Sequence, residues 1–239
     1  MISVICPFYN EKDNLKELYP RLLKTMKQLS DSWEIIFVND GSKDGGGAYL
    51  QSMISDQPSI RLIELDRNCG LTTALYAGLQ ASKGDILATL DADLQNPPEE
   101  IPRLLGLLQE ADMVTGIRQK RRDRWIKRLS SKIANRIRKM ALSDTIQDIG
   151  CSLRLFRRPV LEAFYPYQGI HRFFPAIAEA QGFKIKQIPV DHHPRRFGKA
   201  KYGLFNRILG PLWDLCAVRW LLKKKIKYQL RNETYDKRR

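Results

Sequence analysis

The chain lacks most of what would staple it, span a membrane with it or mark it as a common nucleotide enzyme. Its four cysteines, at positions 6, 69, 151 and 216, are scattered, with no C-x-x-C pair and no histidine at metal spacing. A disulfide framework and a structural zinc site are therefore not expected. The cysteines read as small apolar or site-lining residues of a reducing compartment. No window reaches about eighteen uninterrupted apolar residues, so a spanning helix is not expected. The first residues follow an apolar strand pattern without a basic segment, hydrophobic core and cleavage site, which is not the pattern of a secretory signal. No G-x-G-x-x-G follows the first strand and no G-x-x-x-x-G-K-[ST] occurs, which argues against a dinucleotide oxidoreductase and a P-loop NTPase. Acidic residues are the scarce charge. Against 26 Asp and Glu stand 41 Lys and Arg, a formal net charge of +15. Such a surplus points to an anionic partner (phosphates, nucleic acid or an acidic membrane face), although a solvated basic surface kept for solubility has the same composition.

With 239 residues the chain is long enough for a full core, in one α/β domain or one domain with an appendage. Ile2 to Pro7 reads as a first strand. Apolar residues at Leu15, Leu18, Leu22, Leu23, Met26 and Leu29 then recur at helical spacing from Asn14 to Leu29. Glu34 to Val38 is a second strand and about Gly47 to Gln57 a second helix. Ile60 to Leu65 is a third strand and about Leu71 to Ser82 a third helix. Ile86 to Leu90 is a fourth strand and Met113 to Gly116 a fifth. The alternation predicts a mostly parallel sheet with helices on both faces, whose binding residues gather beyond the carboxyl ends of the strands. Three of those ends carry polar turn chemistry with a carboxylate: Pro7 to Glu11, Asn39 to Asp44, and Asp91 to Gln95. Strands lying side by side would line one crevice with all three.

In the last of these, Leu90-Asp91-Ala92-Asp93-Leu94-Gln95-Asn96-Pro97-Pro98-Glu99, two carboxylates stand two residues apart. In an extended segment they share one face and raise each other's pKa. A divalent cation held by their oxygens and shared with phosphates would resolve that conflict. Turn and helix-cap roles use the same residues, and Asn96 to Glu100 is a good helix opening. Gly45-Gly46-Gly47 reads as a flexible start to a helix rather than a phosphate cradle.

Beyond the fifth strand the composition shifts. Arg118 to Lys139 carries eleven Lys and Arg and one acid, Asp123, with Trp125, Ile126, Leu129, Ile133, Ile137 and Met140 at helical spacing. This basic amphipathic helix suits an anionic membrane or polyphosphate, and equally a helix docked on the core with a solvated basic face. Asp148 to Phe156 reads as turn then strand, Pro159 to Phe164 as a short helix, His171 to Gly182 as a longer one and Lys184 to Val190 as a strand. His192 and His193 would face opposite ways in an extended chain and make a poor metal pair. The cationic run from Pro194 to Gly203 reads as a loop able to close over phosphate. From Leu204 to Leu222, Trp213 and Trp220 beside Lys223-Lys224-Lys225 suit a helix at the headgroup level.

Together, Pro7-Phe8-Tyr9-Asn10-Glu11, Val38-Asn39-Asp40-Gly41-Ser42, Asn68-Cys69-Gly70, Asp91-Ala92-Asp93-Leu94-Gln95-Asn96-Pro97-Pro98-Glu99 and Arg195-x-x-Gly198-x-Ala200-Lys201 resemble the inverting family 2 glycosyltransferases. The likeness is greatest to the dolichyl-phosphate mannose synthase group and its bacterial polyprenyl-phosphate relatives. It implies a GT-A fold, an α/β Rossmann-like sheet over residues 1–203, with 204–239 left as an amphipathic basic C-terminal segment at the membrane surface. It further implies transfer of a hexose from GDP-mannose or a UDP-sugar to a polyprenyl or dolichyl phosphate with inversion, supported by Mg2+ or Mn2+. Carried over by position, Pro7, Tyr9, Glu11, Asp40 and Asp91 are nucleotide contacts, with Asp40 toward the base. Asp91, Asp93 and Gln95 surround the metal and diphosphate. Asp93, Arg118, Lys132, Arg195 and Lys201 form the catalytic set, with Arg118 and Lys132 for the acceptor phosphate and Arg195 and Lys201 on the closing loop. Asn39, Lys132, Cys151 and Ala200 depart from the usual residues at their positions. The implied partners are a nucleotide sugar, a lipid phosphate and the cytoplasmic face of a membrane, with room for a membrane-anchored partner protein and no nucleic acid. Cys216-Ala217-Val218-Arg219-Trp220 has the Arg-Trp of processive synthases without their glutamine. A non-processive transferase to a hydroxyl acceptor and, from another class, a nucleic-acid-binding module are the alternatives.

Overall fold

The computed structural model describes residues 1–29, 32–119, 135–195 and 209–224. Its first half alternates: β1 (Ile2–Phe8), α1 (Lys12–Lys27), β2 (Trp33–Asn39), α2 (Gly46–Ile54), β3 (Ile60–Glu64), α3 (Leu71–Ala81) and β4 (Ile86–Thr89). A 3-10 turn at Pro98–Glu100 leads into α4 (Ile101–Leu107) and β5 (Met113–Arg118). Residues 135–142 are helical (α5). Then come β6 (Arg154–Arg157), a 3-10 segment at Arg158–Ala163, α6 (Ile170–Ala180), β7 (Ile185–Val190) and α7 (Leu209–Lys224). Part of the basic helix expected over 118–139, together with Lys132, Lys201 and the boundary expected at residue 203, lies outside the described residues.

The strands form one seven-stranded sheet in the order β3-β2-β1-β4-β6-β5-β7. β2, β1 and β4 are neighbours and parallel, so their three carboxyl ends do stand side by side. The expectation of a mostly parallel sheet holds with one qualification: β6 runs antiparallel to both β4 and β5. Its far end is tied to the starts of those strands, with Arg157 N donating to Asp112 O and Arg158 N to Asp85 O. The beginning of β6 and the 148–153 segment before it therefore lie at the edge where the parallel strands finish.

β1 is buried along its whole length, as a central strand covered on both faces must be. Ile2, Val4, Cys6 and Phe8 face one core with Leu15, Leu18 and Leu22 of α1, Leu50 of α2 and Leu104 of α4. Ile5 faces the other, with Ile36 and Val38 of β2, Leu75 and Leu79 of α3, Phe173, Phe174 and Ile177 of α6, and Leu215 and Val218 of α7. The Gly45 to Gly47 run resolves as a helix opening. Gly45 has φ 79, Asp44 Oδ1 accepts from Gly46 N at 2.9 Å, and a Cβ at Gly47 would lie 2.4 Å from Glu64 Oε1.

Close packing of α3 on the sheet requires a glycine at 78, where a Cβ would lie 2.5 Å from Ile5 Cγ2 and 2.9 Å from Val38 Cγ2. Gly78→Val should lower unfolding stability by about 1–3 kcal/mol through overpacking. Gly106 in α4 has nothing within 4 Å of a built Cβ, so Gly106→Ala should raise stability by roughly 0.5–1 kcal/mol through helix propensity. Urea unfolding of the two variants checks both signs.

Candidate active site

The crevice is built from three stitched turns. Asn10, at φ 51, lies two residues beyond β1; its N–H donates to Ser42 Oγ at 2.9 Å and its Oδ1 accepts from Lys43 N at 2.8 Å. Asp44 accepts from Lys12 N and Gly46 N, tying the openings of α1 and α2 together. Pro7 is buried near the end of β1 and Tyr9 half-buried just beyond it. Glu11 is buried as well, and Asn14 Nδ2 donates to its Oε2.

Asp40 is 3% exposed, and its carboxylate takes bonds from Asn68 Nδ2 (3.0 Å), Cys69 N (2.7 Å) and Gly70 N (3.0 Å). It thereby anchors the 68–70 turn, which opens α3, at the end of β2. Of the lone pairs of an ionised carboxylate, most are used by this turn.

Asp91 and Asp93 lie beyond β4, which stops at Thr89, in a turn where Leu94 has φ 61. They are brought together by that turn and not, as the spacing predicts, by the pleat of a strand. The predicted consequence follows all the same. Burial and the charge of Asp93 push the Asp91 carboxyl up to about 6, against the opposing pull of a hydrogen bond from Ser152 and the charges of Arg154 and Arg195. Beneath them, burial and the three acids Asp91, Asp93 and Glu11 push the Cys6 thiol far up, so it stays neutral. A pair of carboxylates this poorly compensated, offering hard oxygen donors, fits Mg2+ or Mn2+.

A cation from the chain itself also stands there. Arg195 Nη2 donates to Asp93 Oδ2 at 2.9 Å and lies 3.7 Å from Glu11 Oε1. Gln95 delivers it: Gln95 O accepts from His193 N at 2.9 Å and Gln95 Nε2 reaches His193 O at 3.4 Å, laying the segment after β7 over the acidic turn. Gln95 thus helps position the arginine, while its own N–H donates to Asp93 Oδ1 at 3.1 Å.

Arg118 ends β5 as a bidentate partner of Asp148, with Nε to Oδ2 and Nη2 to Oδ1 both at 2.8 Å. Burial would lower its pKa, but Asp148 more than offsets this and the guanidinium is held above its usual value. Its Nη2 is so close to Gly150 that a Cβ there would lie at 2.3 Å.

Sequence reasoning missed the group that joins these two halves. Ser152 accepts from Asn96 Nδ2 at 3.0 Å and is bonded to Asp91, while Thr89 Oγ1 donates to its backbone oxygen at 2.6 Å. Arg154, 5% exposed, donates to His171 O and Ile149 O, and burial lowers its pKa only to about 10, leaving it charged beside Asp91. Burial and the two neighbouring arginines push His171 down to about 3, so it is neutral and structural; its Nδ1 is 2.7 Å from Thr72 Oγ1. An arginine opening a predicted strand was the one visible signal for Arg154, and alternation alone does not say that it faces a carboxylate.

The sequence model of glycosyl transferase family 2 matches residues 3–164, which include all three crevice-lining strand ends. The chain belongs to glycosyl transferase family 2. Among curated proteins it is 38% identical over 217 residues to the undecaprenyl-phosphate 4-deoxy-4-formamido-L-arabinose transferase of Enterobacter sp. (strain 638), across 90% of this chain and 66% of that one. The fold is shared with a mannosyltransferase from Pyrobaculum calidifontis solved with GDP-Man and Mn2+, at TM-score 0.63 and 19% identity over 84% of this chain and 58% of that one. It is also shared with glucosyl-3-phosphoglycerate synthase from Mycobacterium tuberculosis, solved with Mn2+, UDP-Glc and phosphoglyceric acid, at TM-score 0.66 and 20% identity over 91% and 80%. This chain therefore spans about two thirds of the curated relative's length.

The raised carboxyl yields a stability test. A carboxylic acid whose pKa is higher in the fold than in the unfolded chain destabilises the fold as pH rises through that window, here from about 4 to about 6. Without divalent metal at pH 7.5, Asp91→Asn should therefore be more stable than the parent chain, by up to roughly 3 kcal/mol. Thermal unfolding at pH 4.5 and 7.5 reads it: the advantage should shrink at the lower pH.

Proposed function

We propose that this family 2 enzyme transfers a sugar from a nucleoside diphosphate sugar to a polyprenyl phosphate, with inversion at the anomeric carbon. The observation that carries the reading is the meeting, at one sheet edge, of an acidic pair fit for a metal-bound diphosphate with two anchored arginines, Arg195 and Arg118. The resemblance to a transferase named for undecaprenyl phosphate supports the acceptor class.

A phosphate monoester is already anionic near neutral pH, so its oxygen attacks without a strong base. The new bond forms from that oxygen to the anomeric carbon. The bond to the diphosphate breaks on the opposite side, and the leaving group takes the electron pair. The difficulty is to bring two anions together. Bound Mg2+ or Mn2+ would supply charge stabilisation at the departing diphosphate, held by Asp91 and Asp93. Arg195, sited at Asp93, supplies fixed positive charge on the same side. Arg118 is oriented by Asp148 through its Nε and Nη2, which leaves its Nη1 edge for the acceptor phosphate. Asp148 is thus a positioning residue. Pro7, Tyr9 and Glu11 border the nucleotide, with Asp40 shaping its base end through the 68–70 turn. Among the described residues no helix is long and apolar enough to cross a membrane. Peripheral attachment to the cytoplasmic face of a membrane completes the reading.

The test is incubation of the purified full chain with labelled GDP- and UDP-sugars, Mg2+ or Mn2+, and polyprenyl phosphate in detergent. Label should enter the lipid-extractable fraction; transfer only to a sugar hydroxyl would overturn the acceptor assignment. Asp93→Asn should cut turnover by roughly 100-fold or more, in line with the loss of a main electrostatic contact at a reacting group. Asp148→Asn should raise the KM for lipid phosphate by roughly tenfold, about the worth of one hydrogen bond to a charged group, with nucleotide binding by calorimetry unchanged.

A further inference from the structure

We propose that β3 is an interface to which a second copy of this chain adds its own β3 in antiparallel register, making the sheet continuous across a two-fold axis. The proposal is independent of the reaction above. β3 is an edge strand, paired among the described residues only with β2. The ladder between them shows which groups point outward. Ile35 N donates to Ser59 O and Leu65 N to Asn39 O, both at 2.9 Å, so residues 59, 61, 63 and 65 turn their backbone groups to β2. Ile60, Leu62 and Glu64 turn theirs away. Ile60 N is occupied, donating to Gln57 O at 2.9 Å. Ile60 O and both backbone groups of Leu62 and Glu64 have no partner among the described residues.

These groups complement themselves. Two β3 strands laid antiparallel, with Leu62 facing its copy, exchange Leu62 N to Leu62 O in both directions, and Glu64 N of each donates to Ile60 O of the other. The donors Leu62 N and Glu64 N are then matched one for one by the acceptors Leu62 O and Ile60 O. Leu62 meets Leu62, and Ile60 meets the stem of Glu64, on the face that carries α2, while Arg61 meets Ile63 on the other face. Along the α2 face of this edge runs a groove of about 560 Å3, lined by Ile54, Gln57, Pro58, Ile60 and Leu62. The carboxyl end of the second strand would pass beside it.

Two observations select a second copy as the occupant. Bare edge strands invite pairing, and this molecule blunts its other edge but not this one. At β7, Gln119 N donates to Val190 O, so Pro189 faces outward; it has no N–H to offer, and its O accepts from Arg103 Nη1 at 3.0 Å. β3 holds neither proline nor lysine. Charge is the second observation. The net +15 of the chain opposes self-association, yet residues 46–68 carry the acids Asp56, Glu64 and Asp66 against only two bases, Arg61 and Arg67. Arg61 is already claimed by Glu34 at 3.1 Å. At this edge two such cationic molecules meet without their excess charge face to face, and an acidic partner finds little to attract it. The two-fold axis stands normal to the sheet. It keeps α3, α6 and α7 of both copies, which share one core layer, on the same side of the joined sheet.

The experiment is sedimentation equilibrium of the full chain over a concentration series without lipid. The parent chain should reach twice its own mass. Leu62→Lys sets two ammonium groups opposite each other on the axis and Leu62→Glu two carboxylates, and each should weaken association by at least ~10-fold. Mixed in equal amounts, the two variants should pair again, which a loss of fold in either could not produce. Amide hydrogen exchange needs no variant. The N–H groups of Leu62 and Glu64 should be protected at high concentration and exchange freely on dilution, while that of Ile63, bonded to β2, stays protected throughout. A parent chain that remains monomeric, a Leu62→Lys variant that pairs as tightly as the parent, a mixture that does not recover, or exchange at Leu62 indifferent to concentration would overturn the proposal. Protection at Leu62 and Glu64 that appears only when a different protein is added would overturn it as well, by giving the edge to another occupant.

Discussion

Asp91 and Asp93 are held side by side in a turn that burial has partly stripped of water, and like charges so placed repel unless something answers them. Much of the surrounding structure is that answer. Ser152 bonds Asp91, Arg154 lies charged beneath it, and Arg195 caps Asp93 and approaches Glu11. The compensation is incomplete, which leaves Asp91 with a raised pKa and the pair with an appetite for a further cation. Complete neutralisation by the protein would leave a diphosphate-bound metal nothing to gain, whereas no compensation at all would cost the fold too much. The crevice stands between these limits.

Delivering both signs of charge to one edge is a problem of chain direction. Parallel strands all end at the same side, so β1, β2 and β4 supply acids and turns there without further device. The reversed β6 solves the other half. Running against its neighbours, it starts where they stop, and the chain leading into it carries Asp148 and Ser152 to the same edge, with Arg154 as its first residue. Arg118, arriving from β5, finds its carboxylate partner on that incoming segment. The antiparallel strand thus puts the groups that hold Arg118 and Asp91 beside the ends of the parallel ones.

Alternating strands and helices and the grouping of three polar strand ends were legible, because period and turn chemistry are local properties of the chain. The direction of β6 was not. A four-residue strand carries no mark of the neighbour it pairs with, and Arg154 looked like any polar residue at a strand's start. The same limit applied to Asp91 and Asp93, whose adjacency was foreseen through the wrong geometry. Spacing of two suggested a pleat, while the positive φ at Leu94 bends a turn to the same effect. Asp40 shows the converse case. Its identity drew attention to the nucleotide, but its bonds to Asn68, Cys69 and Gly70 are visible only once β2 and the opening of α3 are adjacent.

Electrostatic partners set by tertiary contact also decide which basic residues remain open to ligands. Of the large cationic excess, Arg158 is spent on the carbonyls of Ser82 and Gly84, Arg157 on Leu108 O, Arg138 on Asp144 and Ile146 O, and Arg61 on Glu34 and Ala81 O. These guanidiniums knit the underside and flank of the sheet, where carbonyls at element ends lack partners. Net charge by itself therefore overstates the surface offered to an anion. At the crevice, by contrast, a carboxylate fixes the direction of each arginine: Asp148 that of Arg118 and Asp93 that of Arg195. In the proposed reaction, that fixed orientation suits the two arginines to a phosphate held at a single point.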